Sequence, residues 1–202
     1  MKRIYAALAI AATLLVAGCL PVTSKTPVGT TAGLGADQAL YGTWVGHSQD
    51  EKEKGVAYFH FLKGKDNEAG AISALMVTPG DNDDDWMSFT VRTAKLGAHN
   101  YMNAVATGGN GAKIGAGEKA EEKGGSIPLL YSFGKHHTLT LYMLDEDKVK
   151  AAIQAGKIAG TIESGDYGDV TITADAAALD AFFATPEAAK LFKVFIALKK
   201  AE

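Results

Sequence analysis

The sequence holds one cysteine, Cys19, in 202 residues, and two arginines, Arg3 and Arg92. One cysteine excludes an intramolecular disulfide and any multi-cysteine metal centre. Basic charge is also in short supply. Lysine and arginine total 20 against 23 aspartates and glutamates, a net charge of −3. A phosphate backbone needs a concentrated basic surface, so nucleic acid is excluded as a partner. What is present is ordinary for a globular chain: hydrophobic residues at 47% and charged residues at 21%, enough apolar matter for a core without disulfide staples.

The first nineteen residues carry the most specific pattern. Met1-Lys2-Arg3 is a short positive start, residues 4–17 are almost wholly apolar, and Gly18-Cys19 come next. As a helix, 14 residues span roughly 21 Å, short of a ~30 Å hydrocarbon core. The run therefore reads as the core of a signal peptide, residues 1–18. Its end, Val16-Ala17-Gly18-Cys19, resembles the bacterial lipobox. That resemblance implies cleavage before Cys19, diacylation of its sulfur and acylation of its new amino group. Two or three acyl chains would anchor the protein durably, since each buried CH₂ contributes about 0.8 kcal/mol. Leu20, and not Asp, follows the cysteine; in the enteric lipoproteins that this segment resembles, an Asp there is similar to an inner-membrane retention signal, so the resemblance implies the outer membrane, with the protein facing the periplasm.

Residues 20–37 are rich in Pro, Thr, Ser and Gly and show no apolar period. With Cys19 they are expected to form a flexible tether, residues 19–37. The rest, residues 38–202, reads as a single antiparallel β-rich domain. The fold class expected is mainly β (α+β): an antiparallel β-barrel or strongly curved sheet with two or three short helices in the C-terminal third. Strands are expected at Tyr41–Ser48, Val56–Lys63, Ala71–Thr78, Trp86–Lys95, Asn100–Thr107, Pro128–Gly134 and Thr138–Leu144. Both faces of Val56–Leu62 are apolar or aromatic, so that strand is expected to be covered on both sides. Asp145 and Asp175 are placed to cap helices, Leu144 and Val149 to form a hydrophobic staple, and Thr185-Pro186 to start a further turn. Ile158–Glu163 and Asp169–Thr173 read as a hairpin around Ser164-Gly165-Asp166. Phe192–Lys199 reads as a last strand with Val194, Ile196 and Leu198 on one side, able to pair with the first and close the sheet. Residues 107–126 hold seven glycines, three lysines and three glutamates, and are expected to be a mobile loop.

Candidate chemistry is sparse. Gly108-Gly109-Asn110-Gly111-Ala112-Lys113 is not a phosphate loop, because Gly is missing before Lys113 and a hydroxyl after it. Alternate oxygens at Asp81, Asp83 and Asp85 could ligate a hard cation such as Ca²⁺. An EF-hand is excluded by Trp86 and Arg92 at the positions of its glycine and glutamate, and a solvated turn after Pro79-Gly80 is the expectation. None of His47, His60, His99, His136 and His137 has the spacing of a helical zinc pair. His60 is expected to be a satisfied imidazole, and His136 and His137 to face opposite ways if extended. There is no nucleophile elbow. A paired-carboxylate hydrolase leaves no spacing in sequence and stays open as an alternative.

Gly42-Thr43-Trp44 resembles the G-x-W motif of lipocalins, in which the Trp closes the barrel end under the N-terminal segment. The resemblance implies a barrel that takes small apolar molecules in its mouth. Asp166-Tyr167 matches part of the second motif of that family; the late arginine of the third has no counterpart. The expected function is that of a lipid-anchored envelope lipoprotein with a non-enzymatic binding or assembly role. No catalytic residue and no cofactor are expected. The membrane is the partner through Cys19, together with an envelope protein or a small apolar ligand. A lipocalin-like carrier is the alternative. Trp44, Phe59, Phe61, Phe89, Leu139, Leu141 and Ile196 are expected to fill the barrel, which disfavours the carrier.

Overall fold

The computed structural model describes residues 21–47, 55–64, 70–79, 85–109, 125–163 and 169–201. The described residues open with a two-residue strand, β1 (Thr23–Ser24), and a 3₁₀ turn at Gln38–Leu40. Next come β2 (Gly42–His47), β3 (Val56–Lys63), β4 (Ile72–Thr78), β5 (Asp85–Leu96), β6 (His99–Gly109), β7 (Ile127–Gly134) and β8 (Thr138–Leu144). Helix α1 (Glu146–Gln154), strands β9 (Gly160–Ile162) and β10 (Val170–Ile172), and helices α2 (Ala176–Phe183) and α3 (Pro186–Ala189) precede the last strand, β11 (Phe192–Lys200). Eight of these strands close an antiparallel barrel in the order β11-β2-β3-β4-β5-β6-β7-β8. Closure is made by β11 on β2, with Leu198 opposite Gly46 and Lys200 opposite Trp44.

Period-two patterning decides which side chains enter the barrel. On β8, Leu139 and Leu141 point inward while Thr138 and Thr140 point out. On β4, Ile72, Ala74, Met76 and Thr78 form the buried face. The barrel uses one face of each strand, so the expectation that Val56–Leu62 is covered on both sides is corrected. Its outer face stays open, with Tyr58 36% and Leu62 57% exposed. The second apolar layer packs elsewhere, over Tyr101, Leu130 and Tyr142 on the outside of β6, β7 and β8. The last strand also departs from its pattern. Its register against β8 shifts between Val194 and Ile196. One extra residue turns a strand face over, so Val194 is 57% exposed while Leu198 is buried.

That second layer is the C-terminal excursion. Asp145 caps α1, accepting from the Lys148 amide at 3.4 Å. Leu144 and Val149 are both buried there, and Gly156 takes a left-handed φ of +68° just past the helix end. Asp175 caps α2, accepting from Ala178 N at 2.9 Å. Thr185 stands at the start of α3 but does not cap it; its hydroxyl donates back to Phe182 O. β9 and β10 pair antiparallel, and β1 adds to β10 in parallel. Ser164-Gly165-Asp166 lies outside the described residues.

Residues 21–37 are not a tether. Val22 and Val28 are buried in the second core. Val28 and the Asn103 amide exchange two hydrogen bonds, Val28 N to Oδ1 at 2.7 Å and Nδ2 to Val28 O at 2.8 Å. Gly35 and Thr93 exchange two backbone bonds at 2.9 and 2.7 Å. The segment is a strap along the outside of the barrel. Polar and glycine-rich composition conceals this, because its partners sit more than fifty residues away and supply side-chain oxygens and amides where a sheet would supply a ladder.

Candidate functional site: an apolar cavity in the barrel

One end of the barrel is closed by side-chain packing. At the end where β2 begins, Trp44 is buried and its Nε1 donates to Leu40 O at 2.7 Å. The 3₁₀ turn that carries Leu40 is capped by Asp37, which accepts from Ala39 N. Asp37 also accepts from the Tyr131 hydroxyl at 2.8 Å. Burial, and then the Asp37 carboxylate beside it, push the Tyr131 phenol well above its ordinary pKa. Lys200 Nζ stands 5.3 Å from the centroid of the Trp44 ring, a cation over an aromatic face. Thus Gly42-Thr43-Trp44 does close one end of a barrel under the N-terminal segment.

The other end is hollow. A half-open cavity of about 150 Å³, taken as the space open to the centre of a water-sized sphere, lies between β3, β4, β5, β6, β7, β8 and β11. One water needs roughly 10–15 Å³ on that measure. Every lining side chain is apolar. Water in such a space finds no hydrogen-bond partner, so hydrocarbon is the complementary filling. Met76, Met87, Met102 and Met143 all line it, and they are every methionine in the chain after Met1. Unbranched thioether side chains adapt to different apolar shapes. The cavity lies toward the end where β5 and β7 start and β4 and β8 finish, and Pro21 of the strap completes its wall.

The expected filled core is therefore corrected. Phe59, Phe61, Phe89 and Leu141 line the cavity instead of closing it, while Trp44 and Leu139 pack in the core around it. Space remains beside them because Ala74, between Phe61 and Phe89 on the neighbouring strands, and Ala104, beside Val91, occupy inward positions. Counting large side chains cannot detect two small ones at the same level of a barrel. The sequence signal for the cavity is the placement of all four internal methionines on inward strand positions.

Of the other sequence candidates, Cys19, Asp81 and Asp83 lie outside the described residues. Asp85 opens β5 opposite Thr78. His60 Nδ1 is 3.0 Å from Thr43 Oγ1. His136 and His137 are not extended: both have left-handed φ, 57° and 56°, in the turn between β7 and β8. Gly108 and Gly109 end β6, and residues 110–124 of the expected loop 107–126 lie outside the described residues. Asp180 belongs to no sequence motif. It is 4% exposed, and its oxygens accept from Gly29 N, Thr31 N and Thr31 Oγ1. Those bonds make it a fastener of the strap. Among the described residues, no cluster of three His, Cys, Asp or Glu side chains could hold a metal ion.

Comparison with protein-family models, curated proteins and solved structures finds no match for this chain.

Proposed function

We propose that this chain is a lipid-anchored cell-envelope protein whose barrel binds a small apolar molecule or hydrocarbon chain, a lipocalin-like binding role without catalysis. One observation carries the reading: a cavity of about 150 Å³ whose wall is wholly apolar and includes four methionines. Leaving that apolar space unfilled forfeits contacts, and methionine is a poor choice for specifying a filled core. The lipobox-like Val16-Ala17-Gly18-Cys19 supports anchoring, and Leu20 favours the outer membrane.

The test uses the chain starting at Leu20, which keeps every described residue. N-phenyl-1-naphthylamine should bind saturably, with dodecanoate competing. Ala104→Phe, which places a ring in the cavity, should weaken both at least tenfold while the melting transition stays cooperative. A wild-type chain that binds neither compound would end this reading.

A second reading, assembly with an envelope protein, has its own observation. Val45, Tyr58, Val77 and Trp86 lie side by side across β2, β3, β4 and β5 on the outer face, with Trp86 41% exposed. Tyr58→Ser with Trp86→Ser should release such a partner from cross-linked envelopes without touching ligand binding.

A further inference from the structure

The described part of the strap begins at the cavity, two residues after Cys19 in the sequence. Pro21 is itself part of the cavity wall, and residues 22–25 fix its position. Val22 is 3% exposed. Ser24 and Ser126 exchange two backbone hydrogen bonds, at 2.8 and 2.9 Å, and Lys25 N donates to Ile172 O at 2.9 Å. Residues 21–25 are thus held to the start of β7 and to β10. Pro21 is the second residue after Cys19, so their Cα atoms are within roughly 7 Å.

We propose that the cavity is the intramolecular receptor for the methyl-terminal segment of one acyl chain carried by Cys19 of the same molecule. This inference rests on the anchored, apolar-binding reading above and names the occupant and the regulation of that site. Three observations converge on it. The cavity has no polar wall side chain to orient a headgroup, so it selects hydrocarbon alone. The methionines allow a disordered chain to fit without a fixed shape. A chain carried two residues before Pro21 competes intramolecularly, with an effective concentration of about millimolar order. The acylated protein therefore keeps its cavity occupied by its own anchor. A free ligand enters only by displacing that chain, which returns to the bilayer. The unacylated chain has an empty cavity and binds ligands without this competition.

The experiment uses the full acylated protein in phospholipid vesicles. Cells are grown on a palmitate analogue carrying a diazirine near its methyl end, and the purified protein is irradiated and digested. Cross-links are expected from the Cys19 acyl chain to β4, β6 and β7 peptides bearing Met76, Met102 and Leu129. They should be unchanged on tenfold dilution of protein in the vesicles, as an intramolecular contact requires. They should disappear in Ala104→Phe, or in Ala74→Leu should the first fail to fold, while acyl mass stays on the N-terminal peptide. Acyl mass on Cys19 with cross-links only to phospholipid, or to neighbouring protein molecules, would overturn the proposal and leave the cavity reading intact. An N-terminal peptide without acyl mass would overturn it together with the anchoring itself.

Discussion

Gly29 and Asp180, 151 positions apart, are joined by a 2.6 Å hydrogen bond from Gly29 N to Asp180 Oδ1. The other carboxylate oxygen accepts from both the amide and the hydroxyl of Thr31, at 2.7 and 2.6 Å. Gly29 has φ +92°, and a Cβ there would lie 2.0 Å from Ala94 Cβ. The strap is therefore flush against the barrel, clamped from above by α2. Asp180→Ala leaves two strap amides without an acceptor and should cost about 2–4 kcal/mol. Gly29→Ala should cost a similar amount, roughly 2–4 kcal/mol, by strain and overlap. Urea unfolding measures both. An unchanged midpoint for Asp180→Ala would show that the strap opens without consequence.

Tyr101 and Tyr131 set the alkaline limit of the fold. Tyr101 is fully buried and donates to Phe183 O at 2.8 Å. Burial raises the pKa of both phenols well above the ordinary value, with the Asp37 carboxylate adding to the effect at Tyr131. An unfolded tyrosine releases its proton near pH 10. Above that pH the unfolded state binds fewer protons than the folded one, so stability falls as pH rises. Each tyrosine contributes a slope of up to about 1.4 kcal/mol per pH unit. Unfolding free energy should be insensitive to these groups below about pH 10 and decline steeply above it. Tyr101→Phe should roughly halve that alkaline slope, whatever its effect at neutral pH. An unchanged slope would mean that Tyr101 titrates freely in the folded protein.

Local signals make the barrel legible in the sequence, and long-range ones are silent. The bounds of β8 follow from alternation, those of β3 from a run of apolar and aromatic residues, and Asp145 with Leu144 and Val149 marks the start of α1. Closure by β11 is readable because Phe192–Lys199 carries a strand period at the end of the chain. The strap is illegible because Asn103, Thr93 and Asp180 hold it from other elements, and nothing in residues 20–37 encodes them. Phe195, the extra residue of the β11 irregularity, looks like any strand residue until its partners on β8 are known. The cavity is hidden for a related reason. Phe59, Phe61 and Phe89 count as filling groups in the sequence, and nothing local tells that Ala74, which stands between Phe61 and Phe89 on the neighbouring strands, and Ala104 leave space beside them.

The turn between β7 and β8 stores strain. His136 and His137 both have φ near +57°, the conformation of a tight hairpin turn that favours Asn and Gly. A left-handed non-glycine residue costs about 1 kcal/mol or more. No side-chain hydrogen bond is formed by either histidine among the described residues, while the backbone carbonyl of His137 accepts from Lys200 N. His136→Asn combined with His137→Gly should therefore raise stability by about 1–2 kcal/mol, read as a higher melting temperature. A loss of stability would show that the imidazoles contribute contacts outweighing the strain.

Thr78 offers a way to tell an amphiphile from a plain hydrocarbon in the cavity. It lies beyond Met76 on the inward face of β4, at the end of the strand. Its hydroxyl is buried, 3% exposed for the residue, and has no hydrogen-bond partner among the described residues. A buried hydroxyl without a partner costs about 1–3 kcal/mol. Thr78→Val removes that cost while conserving shape, so the unliganded chain should gain about 1 kcal/mol. The same change should separate ligands by their polar ends. If the hydroxyl meets the polar end of a bound amphiphile, dodecanol and dodecanoate should bind about fivefold to tenfold more weakly, the loss of roughly one hydrogen bond. N-phenyl-1-naphthylamine has no oxygen to place there and should bind as before. Equal weakening of all three would mean that valine narrows the cavity. Unchanged affinity for all three would mean that bound chains lie with their polar ends away from Thr78, beyond the reach of β4.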